Sequence, residues 1–380
     1  MKNKRHRWFL TAEDDEVGPA PFGRRLERLL FDPVEWRDAE GALAAHLAAL
    51  AYDAGRLTER LEAQAGGVER LALQEAASLS WWSGDRIGAE RLGLWLALRL
   101  GTTGEDAPGV ARAAWAARRL AALRIRASDW PAVIRGHLGL SGDPGQAGDP
   151  SRAGNPGGVG GSSVAGQDQR DGEAALDHLT AAEGRAEAAA DHLADTAEGL
   201  EPMAGLSPIT HGCLGFHLWR TPDPAVPDAV PVDLRAREVE AAVLGARLAA
   251  GFRAGQGLLY LPLSLTGFSA LTTSGPAERR LSAWIPGAHQ ATLSALLLLK
   301  RLADWHAAAG EATAELSGRT PARLVDCLAS WAPLAEAETG ASRAAVQRNL
   351  DLLVASGLAR EVTGQGRAGQ GRYRVWAAAV

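Results

Sequence analysis

The sequence predicts a mainly α-helical protein, a helical body followed by a C-terminal winged helix-turn-helix with a small β-hairpin wing. Three observations carry this. Alanine and leucine dominate a chain that is 46% hydrophobic and 22% charged, and strand-forming runs are scarce. Leucines recur at helical spacing through several long stretches. From Thr320 onward the pattern changes to short helices and then a glycine-rich hairpin. At 380 residues, more than one domain is expected. Four regions follow: an N-terminal helical region (1–140), a Gly/Pro-rich linker or insertion (141–172), a central helical region packing against residues 20–140 (173–316), and the winged module (317–380).

In chain order, residues 21–30 and 34–70 read as helices, the second with Leu43, Leu47, Leu50, Leu57 and Leu61 as an apolar stripe. Residues 71–82 and 89–100 read as two more, joined at Ser83-Gly84-Asp85. Residues 109–123 form a basic helix whose Arg112, Arg118 and Arg119 are expected on a solvated face. Residues 141–172 hold mostly Gly, Pro, Ser, Asp, Gln and Ala without a periodic apolar face. Such a segment buries too little surface to offset its ordering entropy, so it reads as a flexible linker. Residues 173–199 read as an Ala/Glu/His helix, and 202–231 as a proline-punctuated connection containing His211, Cys213, His217 and Trp219. A strong helix is expected over 234–252 and a tight apolar stretch over 255–265. The next helix covers 278–309, with Trp284, Leu293, Leu296, Leu297 and Leu302 turned inward.

The C-terminal module begins with a helix over 321–331, then a short one over 334–339 and a turn at Gly340. Ser342 is placed to cap the third helix, because its hydroxyl can accept from the free amides of the first turn. That helix sets Val346, Leu350, Leu353 and Val354 on one side and Arg343, Gln347, Arg348 and Asp351 on the other. Gly357 stops it. A strand over 358–362, a Gly/Gln/Arg tip and a returning strand over 372–376 complete the wing. In this arrangement the second helix of the pair enters the DNA major groove, and a basic hairpin adds phosphate contacts. Residues 342–380 contain six arginines against Asp351 and Glu361, a net +4; the chain is −5 overall, so the remainder carries −9. Positive charge is concentrated where a phosphate footprint needs it. The candidate DNA-binding residues are Ser342, Arg343, Gln347, Arg348, Arg367, Arg372 and Arg374.

The rest of the composition is restrictive. Cys213 and Cys327 belong to no CxxC or Cys/His cluster, so neither a disulfide framework nor a zinc site is indicated, and both read as buried thiols. The acidic run 13–16 reads as a solvated tail. Residues 293–299, the most apolar run, are too few to span a bilayer, and the basic start lacks the apolar core of a signal peptide; a cytoplasmic location is expected. No HExxH, GxSxG or Walker pattern occurs. Twelve tryptophans, Trp81, Trp82 and Trp95 among them, are expected mostly in helix contacts.

Several stretches in order resemble an uncharacterised bacterial family, a domain of unknown function with a C-terminal helix-turn-helix. They are LQEAASLSWWSGDRI, the arginine-rich helix near Ala111, EVEAAVLGARLAAGF followed by LLYLPLSL, WIPGAHQATLSALL, and LAREVTGQGR with RYRVWAA. The same order is similar to a degenerate member of the Fic family, which transfers AMP from ATP to protein hydroxyls. The resemblance implies a Fic-like helical body. Its catalytic loop, HPFxDGN[GK]R in the family, would fall at residues 227–238, PDAVPVDLRARE, which has no histidine, glycine or asparagine. Without a general base, or glycines to let backbone amides approach a pyrophosphate, the transfer has no agent. The family's inhibitory helix, (S/T)xxxE(G/N), would match residues 78–84, with Ser83 in place of the glutamate. The reading is therefore a non-enzymatic DNA-binding regulator of transcription with no cofactor and no metal. A homodimer held through the body is expected, because a single small winged helix spans few base pairs. The alternative is an interaction protein whose body binds a protein partner and whose winged helix docks or dimerises.

Overall fold

The computed structural model describes residues 32–97, 106–122, 129–139, 196–203, 205–221, 233–251, 258–267, 272–330, 341–362 and 376–380. Among them are eleven α-helices, one 3-10 turn and one two-stranded antiparallel sheet, so the chain is mainly α. The segments read as a helix at 21–30, as the linker and as most of the 173–199 helix lie outside the described residues, together with residues 13–16.

The stretch expected as one helix over 34–70 is broken into α1 (Pro33–Ala42), α2 (Ala44–Ala63) and the start of α3 (Gly67–Trp82). Asp32 caps α1, its Oδ1 accepting from Val34 N at 2.9 Å. Gly66, at φ 70°, separates α2 from α3. A Cβ there would sit 2.6 Å from Ser330 N, so the break and a close approach to the C-terminal module share one glycine. Of the expected α2 stripe, Leu47, Leu50 and Leu57 are buried and Leu43 and Leu61 pack at its edge.

Next come α4 (Ala89–Leu96), α5 (Ala107–Ala121) and α6 (Trp130–Leu138). Of the arginines expected on a solvated face of α5, Arg118 is exposed, whereas Arg112 and Arg119 are half-buried. Arg112 donates to Asp85 Oδ1 at 2.7 Å and to Asp233 Oδ2 at 2.8 Å, and Arg118 lies over the Trp95 ring. Arg119 lies against Gly139, where a Cβ would come within 2.3 Å of the guanidinium. Trp82 and Trp95 pack against the core as expected, whereas Trp81 stands 59% exposed.

The largest departure is α7 (Pro208–Arg220), which occupies much of the segment read as a proline-punctuated connection. Every residue from Ile209 to Trp219 is buried. Ser207 caps it, accepting from Thr210 N at 3.2 Å, and Pro208 sits in the first turn, where its missing amide costs nothing. α7 lies against α8 (Leu234–Ala249), and glycine sets the separation. A Cβ on Gly212 would meet Gly245 O at 2.5 Å, and one on Gly245 would meet Gly212 O at 2.9 Å. Arg247 of α8 is buried. It reaches the C-terminal end of α5, donating to Arg119 O and Ala122 O, and to His137 Nδ1 at 2.9 Å.

Between α8 and α9 (Ala277–Ala312), residues 258–265 form the expected tight apolar stretch. Leu261 N donates to Ala246 O at 2.8 Å. Glu75 of α3, fully buried, holds the same stretch: its Oε1 accepts from Leu263 N at 2.7 Å and Ser264 N at 2.8 Å. Among the described residues, its Oε2 and the buried Tyr260 hydroxyl have no hydrogen-bond partner. Burial outweighs the amide bonds and pushes the Glu75 carboxyl up to about 7.

α9 runs 36 residues, about 54 Å. It buries Trp284, Leu299, Leu302 and Trp305, but Leu293 and Leu297, expected inward, are 38% and 50% exposed. The count of leucines alone does not separate these exposed positions from the buried ones. The body helices and the C-terminal module share one continuous apolar cluster.

Two outcomes test this packing. Gly212→Ala should destabilise the protein by about 1–3 kcal/mol, read as a lower urea midpoint, because backbone stands where the methyl must go. Glu75 holds its proton more tightly folded (about 7) than unfolded (4.5), so its contribution is present below 4.5 and is lost as pH rises toward 7. Glu75→Gln should therefore narrow its stability gap to the wild type between pH 5 and pH 8. A gap that stays constant across that range would rule the linkage out.

Candidate nucleic-acid interface

The C-terminal module consists of α10 (Thr320–Ser330), α11 (Arg343–Ala355), β1 (Ala359–Glu361) and β2 (Trp376–Ala378). Its interior is Leu324, Val325, Leu328, Val346, Leu350, Leu353, Ala359, Trp376 and Ala378. Val354, expected with them, is 40% exposed. The strands pair antiparallel, Ala359 with Ala378 and Glu361 with Trp376, so the returning strand continues to Ala378 rather than ending at Trp376. The short helix expected over 334–339 lies outside the described residues, as do the wing tip and Arg367, Arg372 and Arg374.

Ser342 takes the capping role, its Oγ accepting from Ala345 N at 3.4 Å. At the other end Gly357 has φ 71°, and Leu358 N returns to Leu353 O at 2.8 Å, a glycine C-cap. With both ends fixed, Arg343 and Arg348 stand exposed on the face away from the core. Gln347 sits between them half-buried, donating from Nε2 to Asp351 Oδ1 at 2.7 Å. That bond holds a carboxylate among the candidate contacts and uses one of Gln347's two amide hydrogens. Asn349, buried beneath this face, donates to Ala345 O at 2.7 Å.

The body fixes the module in place. Arg70 of α3 donates to Ala329 O at 2.7 Å and Leu328 O at 2.9 Å, capping the end of α10. Burial and the nearby Arg360 charge bring the Arg70 guanidinium down to about 10, so it stays protonated at neutral pH. Trp305 of α9 donates from Nε1 to Leu358 O at 2.6 Å, between α11 and β1. Arg360, counted in the basic charge of the module, pairs with Glu90 of α4. His306 meets Asp326 at 2.9 Å. None of these anchors was singled out from sequence. Arg70 and Trp305 carry no local signal, since their partners lie far along the chain.

Of residues 227–238, where the resemblance would put a catalytic loop, the described part begins at Asp233, the N-cap of α8, which accepts from Arg235 N and Ala236 N. Asp233 joins a network in which Arg112 bridges it to Asp85 and Arg235 reaches Asp85 at 3.2 Å. The fold thus brings the turn at 83–85 and the start of α8 together, filled by two arginines and two aspartates. The Arg112 and Arg235 hydrogen bonds hold Asp85 below the usual carboxylate range against its burial. Among the described residues no group of three or more His, Cys, Asp or Glu could hold a metal ion, and no helix is long and apolar enough to cross a membrane. Cys213 is buried as expected, and Cys327 is half-buried. No family model matches the chain, and no curated protein or solved structure matches it at a significant level.

Ser342→Ala should cost about 1 kcal/mol in urea unfolding by removing the α11 cap. Ser342→Asp should restore it, since a carboxylate also accepts from those amides and favours the positive end of a helix.

Proposed function

We propose that this chain binds DNA through α11 and the wing, acting as a transcriptional regulator whose helical, Fic-like body is non-catalytic. One observation carries the reading: Arg343 and Arg348 project from the N-terminal half of a helix capped at both ends. That half of a recognition helix is the part that meets base edges, and its positive end favours phosphate. Arg343, Arg348 and Gln347 read bases. Ser342 orders the first turn as the cap and leaves its backbone amide toward the phosphate side. Arg367, Arg372 and Arg374 supply the wing's phosphate contacts. Two copies, paired through the body, present two recognition helices to two half-sites. The absence of histidine, glycine and asparagine from residues 227–238 supports a body without transfer chemistry.

Genomic-fragment pull-down with the full-length protein should enrich a discrete site whose affinity falls steeply with salt. On that site, Arg343→Ala with Arg348→Ala should lose about 1–3 kcal/mol per base contact, with urea unfolding unchanged. Unchanged affinity in the double variant would overturn the assignment of α11. No enrichment at low salt would favour the interaction-protein reading.

A further inference from the structure

α9 carries a second interaction surface, on the side turned away from the core. We infer that this surface pairs with its own copy in a second chain, the two α9 helices lying antiparallel across a two-fold axis between Gln290 and Leu293. The pairing supplies the two-copy arrangement of the proposed DNA reading, but it is argued from α9 alone and stands without that reading.

α9 buries one stripe, which includes Trp284, Ala288, Ala295 and Leu302. At about 3.6 residues per turn the opposite stripe takes Arg279, Pro286, Gln290, Leu293, Leu297 and Asp304, and all of these are exposed. Their steps of three, four and seven are the rhythm of a helix that pairs lengthwise with another. No Asp, Glu, Lys or Arg occurs between Arg280 and Lys300. The outer face of a helix on a soluble body is ordinarily charged, as on α2 with its exposed Arg56, Glu59, Arg60 and Glu62. Leu293 and Leu297, 38% and 50% exposed, lie within this uncharged length. From Ser282 to Lys300 it measures about 27 Å. His289, at one edge of the stripe, turns to Asp53 of α2 at 2.8 Å and leaves the stripe to the leucines.

Charge at the two ends decides the occupant and its direction. Arg279 stands exposed at the N-terminal end of the stripe, and among the described residues it has no ion-pair partner. Asp304 stands at the other end, its side chain 65% exposed and 2.7 Å from Lys300. In an antiparallel pair about the stated axis, Leu293 meets Gln290 of the partner subunit, Leu297 meets the partner's Pro286, and Asp304 meets the partner's Arg279. The axis makes each contact twice, so both arginines gain a carboxylate. A parallel pair sets arginine on arginine, lysine on lysine and aspartate on aspartate, which is unfavourable at both ends. The stripe complements itself only when reversed, as a two-fold interface requires.

The uncharged middle supplies the attraction, because its leucines and proline leave water with no charge to desolvate. The ends set direction more than strength, since exposed ion pairs add little. Trp305, on a different side of α9, donates to Leu358 O and so holds the C-terminal module on the same helix. Pairing two α9 helices therefore fixes the separation of two α11 helices and relates them by the same two-fold axis.

The test is sedimentation of the full-length protein without DNA, over a dilution series reaching about 100 µM. The mass should rise with concentration toward twice the 39.8 kDa of one chain. Leu293→Lys with Leu297→Lys sets like charges around the axis and should weaken the association by about a hundredfold or more. Both positions are exposed, so the urea midpoint, taken where the wild type is monomeric, should not move. Arg279→Asp and Asp304→Arg should each weaken the association by about tenfold, and the two together should recover most of the loss. A parallel pair would still set each exchanged residue against itself and recover nothing. Arg343→Ala with Arg348→Ala should associate like the wild type, so a failure of the pairing and a failure of the DNA reading are separate results. The pairing is overturned by a wild type that stays monomeric throughout, which would leave the stripe to a different protein. It is equally overturned by a lysine variant that associates unchanged or by a charge exchange that recovers nothing.

Discussion

The close crossing of α7 and α8 is the constraint on which the body depends. At the Gly212–Gly245 contact, backbone lies where any side chain would begin. Helices normally pack with their axes about 8–10 Å apart, with side chains interleaved between them. Here the absence of two Cβ atoms lets one helix lie on the other's backbone. Because α7 comes so near, its neighbours close around it: Phe216 meets Trp284 of α9 and Trp82 of α3, and His211 meets Trp130 of α6. Arg247, two residues beyond Gly245, is thereby carried into the interior, where the α5 carbonyls receive it. A bulkier residue at either glycine would part the helices and leave that guanidinium without its acceptors.

The same crossing explains what was legible in the sequence and what was not. α9 and α11 each have a solvent-exposed side, so their buried residues fall into a period, and α8 and α11 open on side-chain caps at Asp233 and Ser342. α7 has no polar side. With residues 209–219 all buried, periodicity has nothing to contrast, and the prolines before and after it dominate the local pattern. Its true start was nonetheless written locally, in Ser207, Pro208 and Thr210, a cap, a first-turn proline and a second hydroxyl. α9 shows the converse. Its leucine run reads as a thick apolar face, yet Leu293 and Leu297 are exposed, because a long helix needs only one stripe to pack. In the module, the cap at Ser342, the stop at Gly357 and the exposure of Arg343 and Arg348 were readable because they depend on residues within a turn or two. The anchors at Arg70, Trp305 and Glu90 were not, because no local rule pairs residues so far apart.

Buried polar groups divide into two kinds, and the difference bears on what each can do. Glu75 has one oxygen held by two amides and the other unpaired, all within the core, so its consequences are confined to stability and pH. The Asp85–Arg112–Asp233–Arg235 network is balanced in charge and closed by mutual hydrogen bonds. It ties three parts of the chain and leaves little for a ligand to add.

The attachment of the module to the body can be weighed by the same kind of comparison. The Arg360–Glu90 pair is exposed on both sides, more than half in each case. Such pairs contribute about 0–1 kcal/mol. The Arg70 bonds to two carbonyls at a helix end are partly buried and satisfy groups left open by the helix, and the partly buried Trp305 indole N–H finds its acceptor in Leu358 O, which also accepts from Ala379 N. Losing one of those leaves a polar group stranded, at about 1–3 kcal/mol. The orientation of α11 is therefore set by Arg70 and Trp305, and under the proposed DNA reading Arg360 could exchange Glu90 for a phosphate at little cost. An arginine of β1 held this loosely keeps its charge available, while the helix beside it stays fixed in direction.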